Sequence, residues 1–247
     1  DLSIVWPALI AGLLITATHV PLGIQVLKRG IVFIDLAVAQ IAGLGVIVAD
    51  SLGFEPHGAA VQAAALSAAL AGALLLNWTD KRWPEVQEAV IGVTFIVAAN
   101  AAILLLAANP RGAEHLKDLL IGQILWVNSA ELPLVGLVSA VILAIWFGFG
   151  ERVGRIGFYL LFACAVTVSV QLVGVYLVFT TLIVPALATR GMGRGRMAMS
   201  YALAAFGYAL GLALSLVSDL PPGPLIVCTM TALGVIAALL TSRQAPA

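Results

Sequence analysis

THVPLGIQVLKRGIVFIDLAVAQIAGLGVIVAD, from Thr18 to Asp50, decides the fold. Two apolar segments meet at a basic step, Lys28-Arg29. That is the pattern of two membrane helices joined by a tight turn. His19 lies deep in the first segment and Asp35 at the start of the second. An ionisable group inside a membrane segment costs roughly 2.5–3.5 kcal/mol on insertion scales. Two of them so close in sequence point to something polar that is held or moved.

The rest of the chain agrees. Of its 247 residues 62% are hydrophobic and only 10% are charged, with a mean hydropathy of +1.11. An ordinary soluble domain is about 25% charged, so no soluble fold of this length hides so much apolar surface. The apolar runs are continuous Leu, Ala, Val and Ile, without the alternation of a membrane barrel. The fold class is therefore all-α, a polytopic transmembrane helical bundle. A formal net charge of zero with no basic tail argues against a nucleic-acid partner. Cys164 and Cys228 sit in apolar runs and read as packing residues. The first segment flows into a basic turn without a cleavage-like region, so it reads as a retained helix and not a signal peptide.

Apolar segments fall at about Ile4–Val26, Ile31–Leu52, Ala59–Trp78, Val86–Ala108, Leu132–Phe149, Met199–Val217 and Leu225–Leu240. Leu119–Val127 is too short to span. The run Ile156–Thr189 is too long for one span of about 20 residues, and Gln171 and Gly174 mark a break within it. Lys28-Arg29, Lys81-Arg82, Arg152 with Arg155, Arg190 to Arg196, and Arg243 alternate with acid- and histidine-bearing loops. The positive-inside rule then gives about eight to nine spans, with the N-terminus outside and the C-terminus cytoplasmic. Residues 1–247 read as a single transmembrane domain. The chain holds no GxxxxGK[ST], GxSxG, HExxH or CxxC motif, so neither nucleotide hydrolysis nor other enzymatic chemistry is expected of it.

Several residues are candidates for contact with a cation. His19 precedes Pro21, which loosens the helix, and it reads either as a transient metal or proton ligand or as a buried neutral imidazole bonded to a neighbouring helix. Asp35 reads either as a carboxylate lining a cation path or as a helix-start acid favoured by the dipole and paired with Arg29. Gln40 lies five residues after Asp35, about 140° around a helix, so the two share no narrow face. Asn100 and Gln171 read as interhelical hydrogen-bonding groups. Glu55 with His57, and Glu114 with His115 and Asp118, offer N/O ligands for a first-row divalent metal at an outer-face entrance. Their spacing matches no closed site, which favours a solvated loop over a metal entrance.

Three stretches carry a family resemblance. They are PLGIQVLKRGIVFIDLAVAQIAGLGV (Pro21–Val46), LVGVYLVFTTLIVPALATR (Leu172–Arg190) and SDLPPGPLIVCTMTALGVIAALL (Ser218–Leu240). Together they resemble the permease subunit of zinc/manganese-type ABC importers, the family of the bacterial zinc-uptake permease. The resemblance implies a type II importer fold in the bacterial inner membrane. It implies a second permease copy, a cytoplasmic pair of ATPase subunits that bind ATP, and a periplasmic or extracellular metal-binding protein. No cofactor would be held permanently; a divalent metal, zinc first and manganese next, would be the cargo. Asp35 matches the family's aspartate in the second helix. The segment of about residues 185–197 matches the loop that contacts the ATPase, with Pro185, Arg190, Gly191, Gly193, Arg194 and Arg196 as its coupling residues.

The sequence departs from the family at one telling place. Where the family has Asp-x-x-x-His, this chain has Ala39 and then Gln40. His19 is the candidate substitute ligand. By helical rise it lies roughly 13 Å from the basic turn and Asp35 roughly 6 Å, so direct sharing of one ion needs a distorted or tilted helix. Two other readings remain open at this stage: a permease for iron chelates, haem or cobalamin, and a stand-alone proton-coupled metal transporter.

Overall fold

The computed structural model describes residues 2–55, 58–106 and 124–242. These form nine α-helices, numbered here in chain order, with no strand among the described residues. They are α1 (Leu2–Arg29), α2 (Ile34–Ser51), α3 (Ala59–Arg82), α4 (Gln87–Leu106), α5 (Leu132–Phe149), α6 (Gly154–Val173), α7 (Val175–Ala188), α8 (Arg196–Ser218) and α9 (Pro222–Ser242). Eight are long and apolar enough to cross a membrane, and α7, with 14 residues, is the exception. At 1.5 Å per residue α7 rises about 21 Å, less than a typical hydrocarbon core.

The turn after α1 follows from its sequence. Gly30 has φ of +69°. Its N–H donates to the Leu27 carbonyl at 3.3 Å, and the Ile31 N–H donates to the Val26 carbonyl at 3.3 Å. This is a Schellman stop, which needs a residue in the left-handed region, and Lys28 and Arg29 complement the helix dipole in the last turn. The break expected in the long apolar run occurs at Gly174, whose φ of +84° ends α6 and starts α7.

Pro21 stands inside α1 and has no N–H to give to the carbonyl of Ala17. That carbonyl instead accepts a hydrogen bond from the Tyr201 hydroxyl of α8 at 2.9 Å. The helix thus stays continuous through a proline because a neighbouring helix supplies the missing donor. Nearby, the Leu182 carbonyl of α7 packs so closely on Gly23 that a side chain there would overlap it.

Helices α3 and α8 extend beyond their apolar stretches. The helix around Trp78 continues to Arg82, with the Trp83 N–H donating to the Thr79 carbonyl at 2.7 Å. The Thr79 hydroxyl donates to the Leu76 carbonyl at 3.0 Å, and Gln87 Nε2 donates to the same carbonyl at 2.9 Å. The core is richest where α1, α2, α6, α7 and α8 meet, with Phe158, Tyr159, Phe162, Ile34, Leu177 and Tyr208 fully buried. Helices α4, α5 and α9 present large apolar side chains outward, among them Leu104, Leu137 and Leu239. In a lipid environment that surface is solvated by acyl chains.

Candidate functional site

One end of the bundle gathers the turn between α1 and α2, the end of α3, and the starts of α4 and α6. Arg155 forms an ion pair with Asp80 at 3.2 Å. Gln87 accepts from the Thr79 hydroxyl at 2.9 Å and donates toward the Tyr159 hydroxyl at 3.4 Å. Arg29 places its guanidinium 4.4 Å from the centre of the Phe158 ring, a cation–π contact. Arg29 does not pair with Asp35, whose carboxylate oxygens have no hydrogen-bond partner.

Asp35 sits in the first turn of α2 and is fully buried. Neither carboxylate oxygen has a hydrogen-bond partner in the structure. The capping acceptors of a helix start sit at the N-cap and the third helical position; Asp35, at the second, makes no such bond. Gln40 is buried further along α2.

His19 is fully buried in the middle of α1, two residues before Pro21. Its Nδ1 lies 3.0 Å from the Ile15 carbonyl oxygen and 3.0 Å from the Thr18 hydroxyl. A carbonyl oxygen only accepts, so Nδ1 carries the proton and donates it there. Nε2 then presents a bare lone pair, and it has no partner. An imidazole oriented through one nitrogen with the other free is the arrangement that metal-binding and proton-accepting histidines use.

The remaining candidates are distributed differently. Glu55 is exposed beyond the far end of α2, where its carbonyl accepts from the Gly58 N–H at 2.9 Å. His57, Glu114, His115 and Asp118 lie outside the described residues. Among the described residues no three His, Cys, Asp or Glu side chains come together as a ligand cluster.

Residues 185–197 form a braced corner. The Pro185 carbonyl accepts from the Thr189 hydroxyl at 2.8 Å and from the Ser200 hydroxyl at 3.3 Å. Thr189 and Ser200 also bond each other at 2.8 Å. Arg196 Nη2 donates to the Ala186 carbonyl at 3.1 Å, tying the start of α8 to the end of α7. Gly195, with φ of +85°, makes the sharp entry into α8. Arg190, Gly191, Gly193 and Arg194 stay exposed. Arg196 thus braces the corner, whereas Arg190 and Arg194 face outward.

Two contributions escaped the sequence reading. Glu88 of α4 accepts the Phe33 N–H at 3.2 Å and so caps α2 from another helix. Tyr201 and Tyr208 satisfy polar groups of α1 and α7, Tyr208 through its 2.9 Å contact with Thr181. Pro21 was the available signal for Tyr201, because a proline in a membrane helix leaves a carbonyl that some neighbour must satisfy.

Comparison with known proteins agrees with this architecture. The family model described as the ABC 3 transport family matches residues 1–153 and 147–241. The chain is 23% identical over 247 residues to the high-affinity zinc uptake system membrane protein ZnuB of Haemophilus influenzae, covering 91% of this chain and 93% of that one. It is 23% identical over 188 residues to the "Probable metal transport system membrane protein" of Chlamydia muridarum, covering 67% and 64% of the two chains. Among solved structures it is similar to a chain of PsaBC from Streptococcus pneumoniae in complex with Fab. The TM-score is 0.75 at 20% identity, with 94% of this chain and 90% of that chain covered.

Proposed function

The chain belongs to the ABC 3 transport family, and from that premise we propose that it is the membrane-spanning permease subunit of an ATP-driven importer of a divalent transition metal. Zinc is the first choice and manganese the second. The observation that carries the reading is Asp35, a carboxylate fully buried in a membrane helix whose oxygens bond nothing. A structural acid at that position is expected to be paired; an unpaired one suits a cation that visits and leaves.

The metal is handed over at the outer face by a binding protein. It passes Asp35, with the Nε2 lone pair of His19 as a second, separate waypoint and Gln40 as an auxiliary oxygen donor. Coordination at each point is incomplete, as conduction requires, since a closed site of full coordination would not release its ion. The permease itself performs no chemistry. ATP is hydrolysed by a pair of partner subunits that dock at the cytoplasmic face on the corner of residues 185–197, through Arg190 and Arg194. Because Arg196, Thr189 and Ser200 brace that corner to α7 and α8, a push on it moves both helices together. A second permease copy completes the path. The chain lies in the bacterial inner membrane with its N-terminus outside and its C-terminus in the cytoplasm, in line with the alternation of basic loops.

The test is uptake of radiolabelled zinc and manganese by the complex reconstituted in proteoliposomes with its ATPase, comparing wild type with Asp35→Ala and His19→Ala. The reading expects ATP-dependent uptake that both substitutions reduce, Asp35→Ala the more. Uptake of a metal chelate but of no free divalent ion would favour the chelate-permease reading instead.

A further inference from the structure

The start of α2 lacks a cap of its own. Its N-cap residue is Phe33, which has no side chain able to accept, and the third helical position is Leu36, where a capping box would place Glu or Gln. The first turn does contain a carboxylate, that of Asp35, but it makes no hydrogen bond. The acceptor comes from 55 residues away: Glu88 Oε1 takes the Phe33 N–H at 3.2 Å. Glu88 thus does from α4 what an acid at the third helical position does in a capping box. Its negative charge also faces the positive end of the α2 dipole.

We propose that Glu88 is a positioning residue for the cation path: by capping α2 from α4 it releases Asp35 from capping and fixes the depth at which the Asp35 carboxylate stands. This rests on the reading of Asp35 given above. Two features favour it over a purely structural contact. Phe33 is anchored from two sides, by Glu88 and by stacking on Phe179 of α7 with ring centroids 6.4 Å apart. The residue two places on from this doubly held point is Asp35 itself. In addition, Arg29, the cation nearest in sequence, is engaged on Phe158 and leaves both Asp35 and Glu88 unneutralised by it. The role assigned to Glu88 needs an acceptor oxygen and not a charge, which separates it from a ligand.

The experiment compares wild type, Glu88→Gln, Glu88→Ala and Asp35→Asn in the complex reconstituted with its ATPase. It reads metal uptake, as KM and maximal rate, and amide hydrogen exchange over residues 31–36. Glu88→Gln keeps an amide oxygen at the same place. It is expected to hold KM within about threefold of wild type and to leave exchange little changed, because the hydrogen bond survives. Glu88→Ala is expected to speed exchange at the start of α2 at least tenfold and to raise KM by about tenfold, with a smaller change in maximal rate. Unchanged exchange in Glu88→Ala overturns the assignment whatever uptake does. An equal loss of uptake in Glu88→Gln and Glu88→Ala also overturns it, because the charge would then act directly on the cation. Full uptake by Asp35→Asn sinks the Asp35 reading instead, and does so without touching the exchange result.

Discussion

Where α1, α7 and α8 meet, buried polar groups find one another. In the first turn of α2 and the middle of α1, they do not. Tyr201 answers the carbonyl that Pro21 left open, Tyr208 answers Thr181, and Thr189 pairs with Ser200. Asp35 offers two carboxylate oxygens and His19 one ring nitrogen, all buried and all without a partner. Leaving such a group unmade costs about 1–3 kcal/mol, and more when it is charged. The first set of groups holds helices together; the second set is left without such bonds, as are Thr16 Oγ1, Thr167 Oγ1 and Asn77 Oδ1. Burial does not separate them, since Tyr208 and Asp35 are equally inaccessible. Partnership does.

The contrast can be broken most sharply at Asp35. Asp35→Asn should lower metal uptake on the order of 100-fold, equivalent to about 2.7 kcal/mol of barrier, while the thermal midpoint of the purified protein stays level or rises. A large fall in Tm would place Asp35 among the structural groups. At His19 the expected loss is smaller. His19→Ala should weaken uptake roughly tenfold, the lower range for removing one oriented ligand group, again with Tm maintained.

The satisfied seam should show the reverse pattern. Tyr201→Phe should cost about 1–2 kcal/mol of stability, since it strands the Ala17 carbonyl, and should change uptake less than twofold per properly folded molecule. Pro21→Ala restores the helix's own N–H donor, so in that background Tyr201→Phe should cost little. A double-mutant cycle in denaturant or thermal unfolding measures the coupling, expected at about 1 kcal/mol. Additive effects would mean that the tyrosine does not serve the carbonyl that the proline exposes. The smallest effect belongs to Tyr208→Phe, about 0.5–1.5 kcal/mol, because Thr181 keeps its own 2.7 Å bond to the Leu177 carbonyl.

The sequence was most informative where structure is local. Lys28-Arg29 marked the basic step between the first two apolar segments, and the Schellman bonds at Gly30 and Ile31 end α1 there. Gly174 marked the break in a run too long for one span, and it lies between α6 and α7. The shortness of α7 was within reach of the same reading, since only 14 residues separate Gly174 from Thr189. Of the site, Asp35 and His19 were visible as ionisable residues in apolar surroundings. Which of their atoms would be free was not, because that depends on partners. The tautomer of His19 follows from Ile15, four residues away, and the cap at Phe33 that frees Asp35 comes from Glu88, 55 residues on from Phe33. The first is a helical neighbour that could have been anticipated; the second is a tertiary contact that no spacing rule reaches.

The most direct test of the account is ATP-dependent uptake of radiolabelled zinc and manganese into proteoliposomes holding the permease with its ATPase, wild type beside Asp35→Ala. The account predicts uptake by the wild type that needs ATP, and its near-complete loss in the variant with the complex still assembled. Equal uptake by the two proteins, or transport that proceeds without ATP, would contradict it.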